Sequence, residues 1–144
     1  MLGVGVDADG SPIAYLKVCS DHIDTLAIVE DDGGRVAEWA APRRITDSAS
    51  IHLLDGTPDW RVVTALPDLK PDTGYLLAGW STGEYNSAAT VSVHLTREEL
   101  AELQIGQVRR MSGFDSKGEA QYLVETVDEF FANACDYEGG SLRS

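Results

Sequence analysis

Residues 69–80 constrain the fold of this chain more than any other segment. They read Leu-Lys-Pro-Asp-Thr-Gly-Tyr-Leu-Leu-Ala-Gly-Trp, so a turn around Pro71 leads directly into an apolar run that Tyr75 opens. A tyrosine at the start of a strand can return its hydroxyl to backbone a few residues upstream, which fixes the corner of a β-sandwich. The segment therefore predicts an architecture but no chemistry, because this architecture hosts many unrelated functions.

The remainder of residues 1–95 reads as short strands separated by turn signals. Strands are predicted over residues 2–6, 13–19, 25–30, 35–41, 48–54, 60–66, 75–80 and 91–95. We expect Pro42 to end the fourth of these, since proline has no N–H to donate to a ladder. Short strands at this spacing favour an antiparallel sandwich over a parallel sheet.

The pattern changes after residue 95. Thr96 with Glu99 and Thr126 with Glu129 have the spacing of two capping boxes, each of which predicts a helix start. Between them, residues 107–111 and 121–125 predict a hairpin. We therefore expect one domain, with a sandwich over residues 1–95, a helix–hairpin–helix cap packed on it over residues 96–138, and a flexible tail over residues 139–144.

The strand that Tyr75 opens is apolar on both faces. Tyr75 and Leu77 alternate with Leu76 and Trp80. An open sandwich strand carries polar residues on its solvent side, so we expect the C-terminal helix to cover the outer face through residues 130–131, both phenylalanine.

The spacing Leu-x-Pro-x-Thr-x-Tyr over residues 69–75 resembles the tyrosine corner of fibronectin type III domains and, more loosely, of immunoglobulin-like sandwiches. The resemblance covers residues 11–95 and implies a mainly β, antiparallel sandwich, from which residues 96–138 depart. The whole chain also resembles small exported actinobacterial proteins of unknown function that close with a Phe-x-x-Ala-Cys-Asp segment, here residues 131–136. This second resemblance implies no activity.

The two cysteines, Cys19 and Cys135, are too far apart for a CxxC motif. One interpretation is a disulfide that ties the sandwich to the C-terminal helix, worth roughly 4 to 5 kcal/mol for so long a loop. The other is two unrelated buried thiols of a cytoplasmic protein. Both cysteines adjoin polar residues, which favours the disulfide and an extracellular or cell-envelope location. That location implies a leader that was removed, since no signal peptide opens the sequence.

The chain is strongly acidic. Its 144 residues include 11 Lys and Arg against 24 Asp and Glu, a formal charge of -13. Phosphate binding needs clustered basic residues, so this balance argues against nucleic acid as a partner. No apolar run approaches the ~20 residues of a membrane span. The acidity predicts solubility, or else a basic protein partner or bound divalent cations.

Catalytic motifs are absent from the sequence. His22, His52 and His94 form no His-x-His or His-Glu-x-x-His pattern. The acidic segments 7–11 and 30–32 are interpreted as turns rather than calcium loops, because the EF-hand glutamate and flanking helices are missing. We therefore predict no catalytic, cofactor-binding or metal-binding residue.

Exposed aromatic side chains are the remaining candidates for a binding role. We predict Tyr85, in the loop before the last sandwich strand, and Trp39 as partner contacts, with Trp60 and Trp80 in the core. The expected function is a non-enzymatic binding or structural module for another protein or a cell-surface component. The alternatives are an acidic inhibitor or immunity-type protein and a carbohydrate-binding or wall-acting protein. The oligomeric state stays open.

Overall fold

The structure, a computed structural model, describes residues 1–19, 22–82 and 89–137. In chain order its strands and helices are β1 (Leu2–Val6), β2 (Pro12–Lys17), β3 (Ile23–Glu30), β4 (Arg35–Ile45), β5 (Ser48–His52), β6 (Arg61–Thr64), β7 (Gly74–Trp80), β8 (Val93–Thr96), α1 (Arg97–Glu102), β9 (Gln107–Phe114), β10 (Ala120–Thr126) and α2 (Val127–Tyr137). The predicted tail, residues 139–144, lies outside the described residues.

The described residues form two five-stranded antiparallel sheets. The first has the order β10-β9-β1-β2-β5 and the second the order β6-β4-β3-β7-β8. The expectation of a mainly β fold with antiparallel sheets is therefore confirmed, and the two sheets are consistent with a sandwich. Strands β9 and β10 hydrogen-bond to each other and, through β9, to β1, so this hairpin belongs to the first sheet.

The core lies between the sheets, and strand alternation explains it. Leu2, Val4 and Val6 on β1 point inward and are at most 6% exposed. Trp39 on β4 and Trp60 before β6 are buried in the same cluster. Burying a large apolar side chain contributes about 1.5–3 kcal/mol, so this cluster holds the two sheets together.

The predicted corner is present. The backbone N–H of Lys70 donates a 2.8 Å hydrogen bond to the hydroxyl of Tyr75, which is 2% exposed. Asp72 in the turn takes a left-handed backbone conformation, with φ of 56°. The ring is thus in the core while its hydroxyl fixes the loop that precedes β7.

Pro42 does not end the fourth strand, which corrects the prediction. Strand β4 continues to Ile45, and Ile23 pairs with Ile45 beyond a register irregularity that follows the pairing of Thr25 with Ala40. The proline lies in the stretch of β4 opposite this irregularity, where a bulge leaves ladder positions unpaired.

The two capping boxes form to different extents. At α2, Thr126 and Glu129 exchange both hydrogen bonds, of 2.9 and 3.1 Å. At α1, the Glu99 N–H donates to the Thr96 hydroxyl at 3.1 Å, but the Glu99 carboxylate binds Arg109 instead of returning to Thr96. The Arg109 guanidinium carries a full positive charge, which the backbone N–H of Thr96 does not, so the Glu99 carboxylate pairs with the arginine.

Helix α2 covers a different surface from the one predicted. Phe130 packs with Tyr15, Val108 and other residues on the outer face of the first sheet, whereas β7 belongs to the second sheet. Gly3 and Gly5 of β1 point toward this layer, and a Cβ at Gly3 would lie 3.0 Å from the Phe130 ring. The glycines therefore provide the flat surface on which α2 docks.

The outer face of β7 is partly solvated. Leu76 is 36% exposed, and the guanidinium of Arg35 lies 4.9 Å from the ring centre of Trp80. Trp80 is therefore half-buried beneath the Arg35 guanidinium. The prediction that Trp80 lies in the core is wrong.

Candidate functional site

One end of the sandwich brings together four segments. The antiparallel strand directions place residues 7–11, 31–34 and 65–73 at this end, together with helix α1. The Asp31 N–H donates to the Gly74 carbonyl at 3.0 Å, and the Asp72 N–H donates to Glu98 at 3.1 Å. We call this the corner end, because it contains the Tyr75 corner.

A concave site of about 570 Å³ opens at the corner end between the 7–11 turn, residues 65–73 and α1. We call residues 65–73 the corner loop and the concave site the corner groove. Its volume lies within the range of ligand sites in proteins. Its apolar lining consists of Pro12, Leu54, Leu66, Pro67, Leu69 and Leu100. Leu54 is 48% exposed, whereas Leu100 belongs to the main core and Leu66 and Leu69 pack against it, so the floor of the groove is continuous with the core.

The charged side chains that line the groove form no ion pair with another described residue. Asp9, Asp68 and Arg97 line it, and none of them forms a salt bridge within the described parts of the chain. By contrast, Lys70 of the same loop binds Glu30 at 3.3 Å. The groove thus offers both an apolar floor and free charge.

Local structure explains how each charged residue is positioned. The Asp7 carboxylate accepts hydrogen bonds from the N–H groups of Asp9 and Ser11, at 2.8 and 3.0 Å, which fixes the turn that presents Asp9. Arg97 is the first helical residue after the Thr96 cap. Asp68 precedes the residues that the Lys70–Tyr75 hydrogen bond holds in place.

Arg109 connects α1 to the rest of the sandwich. Its guanidinium lies 2.8 Å from the Glu99 carboxylate and 4.2 Å from the centre of the Tyr122 ring, and its Nε donates to the His94 carbonyl at 3.1 Å. These contacts join α1, β8, β9 and β10. The wall of the groove that α1 supplies is therefore tied to both sheets.

The three histidines do not converge on the groove. His94 on β8 lies 2.9 Å from the Asp31 carboxylate, and His22 lies 3.9 Å from Asp24. His52 is exposed at the end of β5. The described residues bring no histidine to the apolar floor.

The predicted partner contacts have different outcomes. Trp39 is fully buried and its indole N–H donates to the Leu53 carbonyl at 3.0 Å, so it has no surface for a partner and the prediction is corrected. Tyr85 lies outside the described residues. Trp60 is 1% exposed, as predicted for a core residue.

Cys19 and Cys135 are joined in a disulfide. The bond links the loop after β2 to the last turns of α2, at the end opposite the groove. It secures the helix over the cluster that contains Phe130 and Ala134. The bond is thus a structural tie, remote from the candidate site.

Acidic turns form no cluster of cation ligands in the part of the chain that is described. No group of three or more His, Cys, Asp or Glu side chains converges there. The 7–11 segment is instead a hairpin turn whose carboxylate binds its own backbone. Within residues 1–19, 22–82 and 89–137, neither helix, of 6 and 11 residues, is long and apolar enough to cross a membrane.

Sequence reasoning missed the groove. Its apolar residues come from four separate elements, so no local pattern joins them. The available signal was the corner loop, where Leu66 and Leu69 flank Pro67 and Asp68 in a turn that would otherwise be polar. Comparison of the chain with protein-family models, with curated proteins and with solved structures finds no match.

Proposed function

We propose that this protein is a non-enzymatic binding module, exported or envelope-associated, which binds a segment of another protein in the corner groove. The observation that carries the proposal is the combination of half-exposed Leu54, an apolar floor continuous with the core and unpaired charges in one concave surface. Concave apolar surfaces with a few polar groups are the usual form of binding sites.

The architecture supports a binding role. The Tyr75 corner favours a fibronectin type III or immunoglobulin-like sandwich, with residues 96–138 as a C-terminal helix–hairpin–helix elaboration. In such sandwiches the loops at the ends carry the binding surfaces. The corner groove combines end loops of the sandwich with α1 of the elaboration.

The Cys19–Cys135 disulfide supports an extracellular or envelope location, since such bonds persist in oxidising compartments. The disulfide also leaves neither cysteine with a free thiol. The Nε2 atom of His94 lies 2.9 Å from the Asp31 carboxylate. Nucleophilic catalysis by cysteine requires a free thiol beside a base, so the disulfide argues against a cysteine nucleophile, whereas the His94–Asp31 pair by itself favours neither binding nor catalysis.

A polypeptide fits the groove better than a carbohydrate. Among the described residues that line it, none is aromatic. Sugars stack on flat aromatic rings, whereas leucine and proline side chains form pockets for the apolar side chains of a peptide. The carbohydrate-binding or wall-acting alternative is therefore less well supported at this site.

Selection from a random peptide display library on the immobilised protein tests the proposal. Ala101→Trp would fill the groove from an exposed position on α1, and Ala132→Trp on exposed α2 is the matched control. We expect selected peptides to bind the wild type and Ala132→Trp but not Ala101→Trp. Failure to enrich any peptide, or binding that Ala101→Trp leaves unchanged, would overturn the proposal.

The second candidate is an inhibitor or immunity-type protein that acts on a basic partner. The observation in its favour is the accumulation of carboxylates in the segments of the corner end: Asp7, Asp9, Asp31, Asp32, Asp68, Asp72, Glu98, Glu99 and Glu102. Binding of that kind would depend steeply on salt and would abolish the activity of the partner. Simple docking in the groove would leave that activity intact.

A further inference from the structure

The charges of the corner groove specify the chemistry of its occupant, an inference that rests on the proposed binding function. Asp9 and Asp68 give the lining two carboxylates and Arg97 gives it one guanidinium. Leu54, which is 48% exposed, supplies exposed apolar surface in the same lining. An occupant must therefore supply an apolar group for the floor and a complementary charge for the rim.

The surroundings increase the negative potential at the rim. The segments that form the corner end contain nine carboxylates but only Lys70 and Arg97 as cations. Lys70 is neutralised locally by Glu30. Two of the nine carboxylates, Asp31 and Glu99, are paired with His94 and Arg109, so the other seven supply the excess of negative charge that acts on an approaching cation.

Asp9 and Asp68 are free to bind a cation. Both are exposed and neither forms an ion pair with a described residue, whereas Glu30, Asp31 and Glu99 are each paired with a cationic or imidazole side chain. A carboxylate that is already paired must lose its partner before it binds another. Asp9 and Asp68 have no such ion pair to break before they bind a cation.

We infer that the corner groove binds a polypeptide segment in which an apolar side chain is flanked by lysine or arginine. The apolar side chain occupies the floor between Leu54 and Leu100, and the flanking cations lie against Asp9 and Asp68. Arg97 repels a cation placed beside α1, so it restricts where the basic side chains of the occupant can lie.

Four capped synthetic peptides of equal length test this inference. The first has a central leucine between two lysines on each side. The second replaces the lysines with glutamate, the third replaces them with serine, and the fourth keeps the lysines but replaces leucine with serine. Affinity is measured by titration calorimetry and by amide chemical shifts at 50 and 300 mM salt.

We expect the lysine–leucine peptide to bind most tightly and to lose affinity at the higher salt. Asp9→Asn and Asp68→Asn should each weaken it about two- to fivefold, as expected for exposed ion pairs. Arg97→Gln removes a like charge, so it should leave the affinity unchanged or raise it up to about twofold. A loss of affinity in Asp68→Asn without a loss in Arg97→Gln is the specific signature of the inference.

The outcomes separate this inference from the proposed function. Equal binding of the lysine, glutamate and serine peptides, all abolished by Ala101→Trp, would overturn the charge assignment while the groove remains the binding site. Tight binding of the leucine-free lysine peptide would show that acidity alone attracts it and would also overturn the inference. If none of the four binds, the basic–apolar assignment fails, and the library selection still tests the groove.

Discussion

The hydroxyl of Tyr75 accepts a 2.8 Å hydrogen bond from the backbone N–H of Lys70, across the turn around Pro71. The ring of Tyr75 lies in the core, whereas Leu69, beside Lys70, lines the corner groove. One hydrogen bond thus connects the interior of the sandwich to the candidate binding site.

Tyr75→Phe removes this bond and leaves a partly buried N–H without a partner. We expect a loss of about 1–2 kcal/mol in the free energy of unfolding, measured with urea. Tyr15→Phe is the matched control, because Tyr15 is 8% exposed and its hydroxyl makes no hydrogen bond to a described residue. That change should cost no more than about 0.5 kcal/mol. Equal losses would show that the corner bond contributes nothing specific.

Gly3→Ala tests how α2 docks on the first sheet. The new Cβ would press on Val108 and on the Phe130 ring, so we expect a loss of about 1–3 kcal/mol from overpacking. Gly34→Ala adds the same atom where nothing lies within 4 Å and should change stability by at most about 0.5 kcal/mol. A neutral Gly3→Ala would argue against the packing of α2 on β1.

Reduction of the disulfide should release α2 before the sheets unfold. Mass measurement with alkylation should find no reactive thiol under native conditions and two after reduction. Hydrogen exchange of the amides of α2 should then accelerate while those of β3 stay protected, because β3 lies at the centre of the second sheet. Two alkylated thiols in the untreated protein would contradict both the Cys19–Cys135 disulfide and the argument for export.

The α2 cap predicts a defined pH dependence. Hydrogen bonds from the backbone and the hydroxyl of Thr126 lower the pKa of the exposed Glu129 carboxyl from its ordinary value of 4.5. A lowered folded pKa stabilises the protein above the unfolded pKa, and this contribution is lost as the pH falls through the folded pKa. NMR titration should place the midpoint of Glu129 below 4.5, and Thr126→Ala should shift it upward. The variant keeps the backbone N–H of residue 126, so an unchanged midpoint would contradict the part of the pKa shift that is assigned to the Thr126 hydroxyl.

Local chemistry made much of the fold predictable. The Tyr75 hydrogen bond, the hairpin turns and the Thr126 cap each depend on residues a few positions apart, which is why their patterns are readable. The extension of β4 through Pro42 was not predictable, because the irregularity opposite it is created by pairing with β3. Local signals define elements, whereas their pairing is decided by tertiary contacts.

The position of α2 shows where sequence reasoning failed. The apolar outer face of β7 suggested that Phe130 would cover it, but Arg35 covers Trp80 there instead. The better signal was the pair Gly3 and Gly5, which alternate with inward-facing residues and leave the outer face of β1 without side chains. Glycines in register on one face of a strand indicate that another layer approaches it closely.

The candidate site was the least predictable part of the molecule. The prediction of Tyr85 and Trp39 as partner contacts rests on their aromatic character alone, yet Trp39 is buried in the core. The corner groove exists only when the 7–11 turn, the corner loop and α1 meet in three dimensions. No spacing of residues in the sequence predicts that these three segments meet.

Site-specific photocrosslinking tests the central claim, that the corner groove is the binding surface, most directly. A benzophenone amino acid would replace Leu54 in the groove or Val63 on β6, two apolar residues with nearly equal exposure of 48% and 49%. With a peptide recovered from the library selection, we expect a covalent adduct at position 54 that the Ala101→Trp background abolishes, and none at position 63. An adduct of equal yield at position 63, or one at position 54 that Ala101→Trp leaves unchanged, would contradict the claim.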